Sequence, residues 1–233
     1  SWIIKAAHQI NHGLMPVFPR KDDKGDCYFL TVEEPEELPP RLVTLVKDRL
    51  PKAYGVNAIR DIQVLCPMNR GSTGSRALNE ALQAALNPPS DESVSKFGCR
   101  FSVGDKVMQI ENNYERDVFN GDIGFVTGID SVEEELAVDF DGREVIYPYG
   151  ELDELVLCYA TTIHKSQGSE YPIVVIPITM QHFVMLKRNL IYTGVTRGKQ
   201  LVVLMGQKKA LAMAVMGKQT IRRLTGLKAW LTA

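Results

Sequence analysis

The chain has 233 residues, of which 45% are hydrophobic and 24% charged, with a formal net charge of -1; this is enough to bury a full core in one or two domains. No apolar run approaches the ~20 residues of a membrane span, and no signal-peptide pattern opens the chain, so a helical membrane protein is excluded and secretion has no support. Cys27, Cys66, Cys99 and Cys158 stand far apart without a Cys-x-x-Cys pair; neither zinc nor a disulfide framework is indicated, and a cytoplasmic location is expected.

In chain order, Trp2 to Asn11 has apolar residues at a helical period and Gly13 as a stop. The chain begins at Ser1, inside what reads as a helix, and is expected to be a fragment of a longer protein. Cys27 to Val32 is a short strand, and Glu36 to Leu50 carries Leu38, Leu42, Leu45 and Val46 on one helical face. Gln63 to Pro67 is a second strand, followed by a Gly-bearing turn and a helix from Ser75 to Leu86, which Asn87-Pro88-Pro89-Ser90 ends. From Phe101 to about Tyr149 the rhythm changes to short strands, with two-residue turns expected at Asn120-Gly121 and Asp141-Gly142. Strands are expected around Val107 and Ile110, and over Ile123 to Val126, Leu136 to Phe140 and Val145 to Tyr147; together they suggest a small five-stranded barrel. An α/β rhythm then resumes with strands Leu155 to Thr161, Ile173 to Ile178 and Leu201 to Met205, and helices Leu186 to Val195, Lys208 to Met216 and Ile221 to Leu231.

The net charge conceals a division along the chain. Between Lys96 and Glu154 there are 5 Lys+Arg against 15 Asp+Glu, whereas the remainder has 22 against 13. A polyanion is drawn to the outer segments and repelled by the middle one, unless the middle places its few cations locally. The run Glu133-Glu134-Glu135 reads as a solvated hairpin face.

Two segments carry chemistry. Tyr159 to Glu170, Tyr-Ala-Thr-Thr-Ile-His-Lys-Ser-Gln-Gly-Ser-Glu, is a polar turn between strand-like apolar runs, where open α/β sheets place ligand sites. Asn189 to Leu204 is an amphipathic stretch ending in Thr196, Arg197 and Gly198, followed by another apolar strand. In this order and spacing the pair resembles motifs V and VI of superfamily 1 helicases. His-Lys-Ser-Gln-Gly-Ser-Glu with Tyr-Thr-Gly-Val-Thr-Arg-Gly is closest to the RecD-like 5′-to-3′ branch, superfamily 1B. Gln63 to Arg70 with Gly71, Gly74, Leu78, Asn79, Leu82 and Gln83, and Ala7, His8, Ile10, Asn11, Gly13 and Pro16, extend the similarity to RecD2-type proteins over nearly the whole chain.

The resemblance implies a RecA-like α/β domain of the P-loop-NTPase type, with a parallel sheet but without its own phosphate loop, interrupted by a small SH3-like β-barrel. Its division is expected at residues 1–95 and 155–233 for the parallel-sheet domain (2A) and 96–154 for the insertion (2B). Arg197 becomes the arginine finger, because phosphoryl transfer needs a fixed, planar cation where charge grows on the γ-phosphate; the alternative is a surface arginine compensating a helix dipole. Glu170 is implied to accept from the nucleotide's ribose hydroxyl, or else to cap a helix. Gln167 and Gly168 are placed at the nucleotide side of the turn, Gly168 for a backbone conformation that a side chain would block. Thr162, His164 and Lys165 are implied to meet the backbone of single-stranded DNA, with a buried, satisfied His164 as the alternative. Asn69 and Arg70, in the loop from Asn69 to Ser75 that opens a helix, are further DNA-backbone candidates, against a plain loop and N-cap.

No metal site is expected: His8 and His12 stand four apart, but no third ligand is in view. Gly217-Lys218-Gln219-Thr220 only faintly echoes a phosphate loop, and no Gly-x-x-x-x-Gly-Lys-Ser/Thr occurs anywhere. ATP with Mg2+ would therefore be held mostly by an N-terminal motor half outside this sequence. The expected partners are that half, single-stranded DNA and other repair subunits, with no membrane. The competing readings are a non-catalytic scaffold with a degenerate RecA-like fold, and an RNA helicase of the same superfamily.

Overall fold

The computed structural model describes residues 1–20, 23–89 and 92–217, so the expected helix Ile221 to Leu231 and most of the Gly217 to Thr220 echo lie outside the described residues. Helix α1 (Trp2–Asn11) buries Ile3, Ala6, Ala7 and Ile10, as its period requires. Strand β1 (Cys27–Thr31) leads to a helical passage made of α2 (Leu38–Thr44), a wide π turn over Leu45–Arg49, and α3 (Leu50–Tyr54). The helix expected to end at Leu50 instead continues to Tyr54 and stops at left-handed Gly55, widening to a π turn before Pro51, which has no N–H for the carbonyl one turn back and crowds it with its ring. Strand β2 (Ile62–Cys66) and helix α4 (Ser75–Leu86) follow as read.

Seven short strands come next: β3 (Ser93–Lys96), β4 (Cys99–Ser102), β5 (Lys106–Gln109), β6 (Ile123–Asp130), β7 (Glu135–Phe140), β8 (Arg143–Pro148) and β9 (Leu155–Leu157). The chain ends its described part with β10 (Ala160–Thr162), β11 (Tyr171–Ile178), α5 (Arg188–Val195), β12 (Gly198–Gly206) and α6 (Lys208–Met216). Strands β1-β12-β11-β2-β10 form a parallel sheet in that order. Its inner strands are buried on both faces, which is why they read as continuous apolar runs. One face packs on α1, α5 and α6; the other packs on α2 and α4 and continues into the core of the antiparallel strands. Leu78 and Leu82 of α4 are fully buried in that second core, each contributing about 2 kcal/mol by removal from water.

The antiparallel sheet runs β8-β7-β6-β5-β9. Closure into a barrel by hydrogen bonds is not seen among the described residues: β8 and β9 are its two edges, and the β3–β4 ribbon packs over it, burying Val94 and Phe101 in the shared core. Asp141 and Gly142 form the expected two-residue turn between β7 and β8, with φ of 52° and 87°. Asn120-Gly121 does not. Residues 110–122 make a longer excursion with its own bridge between Asn113 and Val118, and Asn120 N–H donates to Asn112 Oδ1 at 2.9 Å. The strand read as Leu155 to Thr161 is divided. Leu155–Leu157 pairs antiparallel with β5, and Ala160–Thr162 pairs parallel with β2.

The two sheets meet over a polar seam. Gln63 of β2 donates to the carbonyls of Cys158 and Tyr159 at 3.2 and 3.3 Å. Lys106 of β5 is buried and donates to Ile62 O at 3.3 Å; burial pulls its ammonium down to about 8. Asp105 is fully buried and accepts from Tyr159 Oη (2.6 Å), Gln83 Nε2 (2.7 Å), Asn87 Nδ2 (2.8 Å) and the Ser102 N–H (2.7 Å).

Candidate functional site

At the C-terminal ends of β2 and β10, Cys66 and Thr162 are ladder partners, so the loop after one strand and the turn after the other emerge side by side. The loop is tied down before it reaches α4. Ser75 Oγ donates to Asn69 Oδ1 at 2.6 Å, and Arg76 N–H donates to Asn69 O at 3.2 Å. Beneath it, Thr73 is buried against His182: Thr179 N–H donates to His182 Nδ1 at 3.3 Å, so the ring proton sits on Nε2, 2.8 Å from Thr73 Oγ1. Burial holds the His182 imidazolium down at about 4. The outer face of the loop presents exposed Asn69 and Arg70.

The second wall is the turn. Lys165 N–H donates to Thr162 Oγ1 at 3.4 Å, which bends the chain so that His164 and Lys165 are exposed. The buried, satisfied histidine is thus His182 rather than His164. Between turn, loop and α4 lies a groove of about 650 Å³, lined by Asn69, Thr162 and Lys165 together with Arg76, Phe97 and Arg100. Arg70 and His164 are exposed but do not line it. Asn79 of α4 holds the groove floor to the sheet through paired bonds with Ala160, its Nδ2 donating at 2.7 Å and its Oδ1 accepting at 2.8 Å.

Glu170 and Arg197 lie at the opposite end of the sheet, where β11 and β12 begin, and Gln167 and Gly168 stand on the turn that leads there. In register, Tyr171 lies about six residues before Thr162 along the strand direction, roughly 20 Å at strand spacing. Gly168 has φ of 88°, a left-handed conformation that favours glycine. Arg197 follows the end of α5 and turns onto the same segment, donating from Nη1 to Ser169 O (3.1 Å) and from Nε to Thr193 O (3.3 Å). Tyr171 N–H in turn donates to Arg197 O at 2.9 Å. Among the described residues every hydrogen-bond partner of the guanidinium is a neutral oxygen, and Glu170 is a carboxylate that feels its charge without bonding to it. Glu170 is exposed and pairs with Lys199 Nζ at 2.9 Å; this ammonium holds its carboxyl below the usual range. Gln167, Gly168 and Glu170 are exposed and Arg197 is half-buried, and the sequence has no phosphate loop.

Sequence reasoning missed Lys199, His182 and the β3–β4 ribbon. Lys199 reaches Glu170 only through the β11–β12 ladder, and His182 has no motif around it. His8 and His12 stack on each other, 4.2 Å between ring centroids, and among the described residues no cluster of metal-ligating side chains exists.

Residues 78–140 match the family described as the ATP-dependent RecD-like DNA helicase SH3 domain, and residues 157–205 match the UvrD-like helicase C-terminal domain. The ATP-dependent RecD2 DNA helicase of Deinococcus radiodurans is 35% identical over 221 residues, 94% of this chain and 29% of that protein. The RecBCD enzyme subunit RecD of Mycolicibacterium smegmatis is 30% identical over 171 residues, 71% of this chain and 28% of its own. The chain therefore spans under a third of these relatives. In fold it is similar to the Pif1 helicase from Bacteroides in complex with ADP-AlF3 and ssDNA, with a TM-score of 0.57 at 15% identity, covering 99% of this chain and 53% of that one. Pif1 helicase from Candida albicans gives 0.54 at 16% identity, covering 99% and 57%.

Proposed function

The chain groups with the RecD-like helicases of superfamily 1B by these matches, and from that premise we propose that it is the C-terminal motor half of an ATP-dependent 5′-to-3′ DNA helicase. Residues 1–95 and 155–233 act as the motor domain and 96–154 as its insertion. The observation that carries the reading is the course of one segment. Residues 162–170 run from the groove at the C-terminal end of β10 to the Arg197 cluster where β11 begins. A change felt at Ser169 is transmitted along eight residues of backbone to Thr162, which is the connection that a motor coupling nucleotide state to DNA grip requires.

In this reading Asn69, Arg70, Thr162, His164 and Lys165 position the phosphates of single-stranded DNA, with little sequence preference. Gln167, Gly168 and Glu170 face the nucleoside side of ATP. Arg197 gives up its bonds to neutral carbonyls in favour of the γ-phosphate, where its charge stabilises the transition state. ATP, bound with Mg2+ mainly by the N-terminal motor half, supplies the phosphoryl group whose loss releases closure. Other repair subunits are the remaining proposed partners.

The test uses the parent protein containing both motor halves. Arg197→Ala should leave nucleotide affinity within error and lower the ATP turnover rate by about 10³-fold. Turnover close to that of the unaltered protein would remove Arg197 from the mechanism.

A further inference from the structure

The β3–β4 ribbon turns on two residues, Phe97 and Gly98, with φ of 50° and 76°. A bulky aromatic side chain in the left-handed region is an outlier, because its Cβ meets the following carbonyl; Asn or Gly occupies such a position without that penalty. Phe97 is moreover 60% exposed, so burial does not compensate the strained backbone. It lines the groove whose opposite wall is formed by Asn69, Thr162 and Lys165. Two residues beyond the turn, Arg100 also lines the groove, and its Nε is buried without a hydrogen-bond partner, while its Nη2 donates to Gln83 Oε1 at 3.5 Å. Arg76 adds a third cation beside Arg100 and Lys165; among the described lining residues the carboxylate facing them is Glu80, 3.9 Å from Arg76 Nε.

We infer that this ribbon is a further wall of the nucleic-acid groove, beside the loop and the turn, with Phe97 a stacking platform for one base of single-stranded DNA and Arg100 a contact to its backbone. This inference rests on the reading of the groove as a DNA site. Every base has a π-face, so an exposed ring at a fixed position gives affinity without sequence preference, and the flanking cations meet the phosphates. It also answers how the acidic middle of the chain tolerates DNA. Its ribbon places Arg100 at the groove, while the excess carboxylates lie on other strands and loops, Glu133 and Glu134 among them at the exposed β6–β7 turn.

The experiment is binding of a fluorescein-labelled oligothymidylate to the 233-residue chain, read by anisotropy across a salt series. Phe97→Ala should weaken binding about tenfold, with the slope of log affinity against log salt unchanged, because stacking releases no counterions. Arg100→Gln and Lys165→Gln should each flatten that slope by about one. Phe97→Trp should keep the affinity. Phe97→Asn, which relieves the left-handed strain, should raise the melting temperature and still lose about tenfold in affinity, separating stacking from folding. If the unaltered chain binds with the expected salt slope and Phe97→Ala and Phe97→Asn bind equally well, the ribbon is not part of the site and this inference fails alone. If the unaltered chain shows no salt-dependent binding, the DNA reading of the groove falls, and the inference with it.

Discussion

Between pH 6.5 and about 4 the His182 ring is neutral in the folded chain and protonated in the unfolded one. The unfolded state then binds more protons, so stability falls as pH falls through this window and is fully present above it. The difference amounts to about 3 kcal/mol at the acid end. The melting temperature should therefore drop between neutral pH and about pH 4, and His182→Gln should flatten the profile in that window; an unchanged slope in the variant would assign the acid sensitivity to other groups. Because His182 sits under Thr73, the loop bearing Asn69 and Arg70 should loosen first. At this scale the sequence singles out Arg197 and Glu170 because each sits in a motif-like segment of adjacent residues. It does not single out Lys199 and His182, since their partners are 29 and 109 residues away in the chain and are met only through folding.

Asp105, the residue before β5, ties three other elements together. It receives α4 through Gln83 and Asn87, β4 through Ser102, and the link between β9 and β10 through Tyr159. Asp105→Asn would turn an NH2 group toward donors, leaving buried N–H or O–H groups unsatisfied. It should lower unfolding stability by about 3 kcal/mol in urea titration; a loss under ~0.5 kcal/mol, the surface-substitution range, would mean that the hub is replaceable. Elements with strong local signals were legible: α1, α4 and α6 occupy their expected residues, since period, stop signals and burial agree. Two elements were not. The β3–β4 ribbon turns on Phe-Gly, which carries no local preference for that conformation. The run from Leu155 to Thr161 reads as one apolar strand, yet it changes sheets at Cys158, because pairing partners rather than propensity decide where a strand belongs.

Across the whole molecule, the cations are concentrated outside residues 96–154, and the groove lies where the parallel sheet, α4 and the antiparallel strands meet. The sequence carries no phosphate loop, so the 233-residue chain by itself should release no phosphate from ATP above a buffer blank. Release with or without DNA would show that a second phosphate site exists within it. The sequence by itself determined the fold class, the order of most strands and helices, and the family likeness, because these depend on local periodicity and on residues adjacent in the chain. The tertiary structure alone decided that Thr162 and Arg197 lie at opposite ends of one sheet, that Asp105 and Lys106 are buried in the seam, and that Phe97 faces the groove. Those relations are set by ladder register and close packing between segments far apart in sequence, which no local pattern encodes.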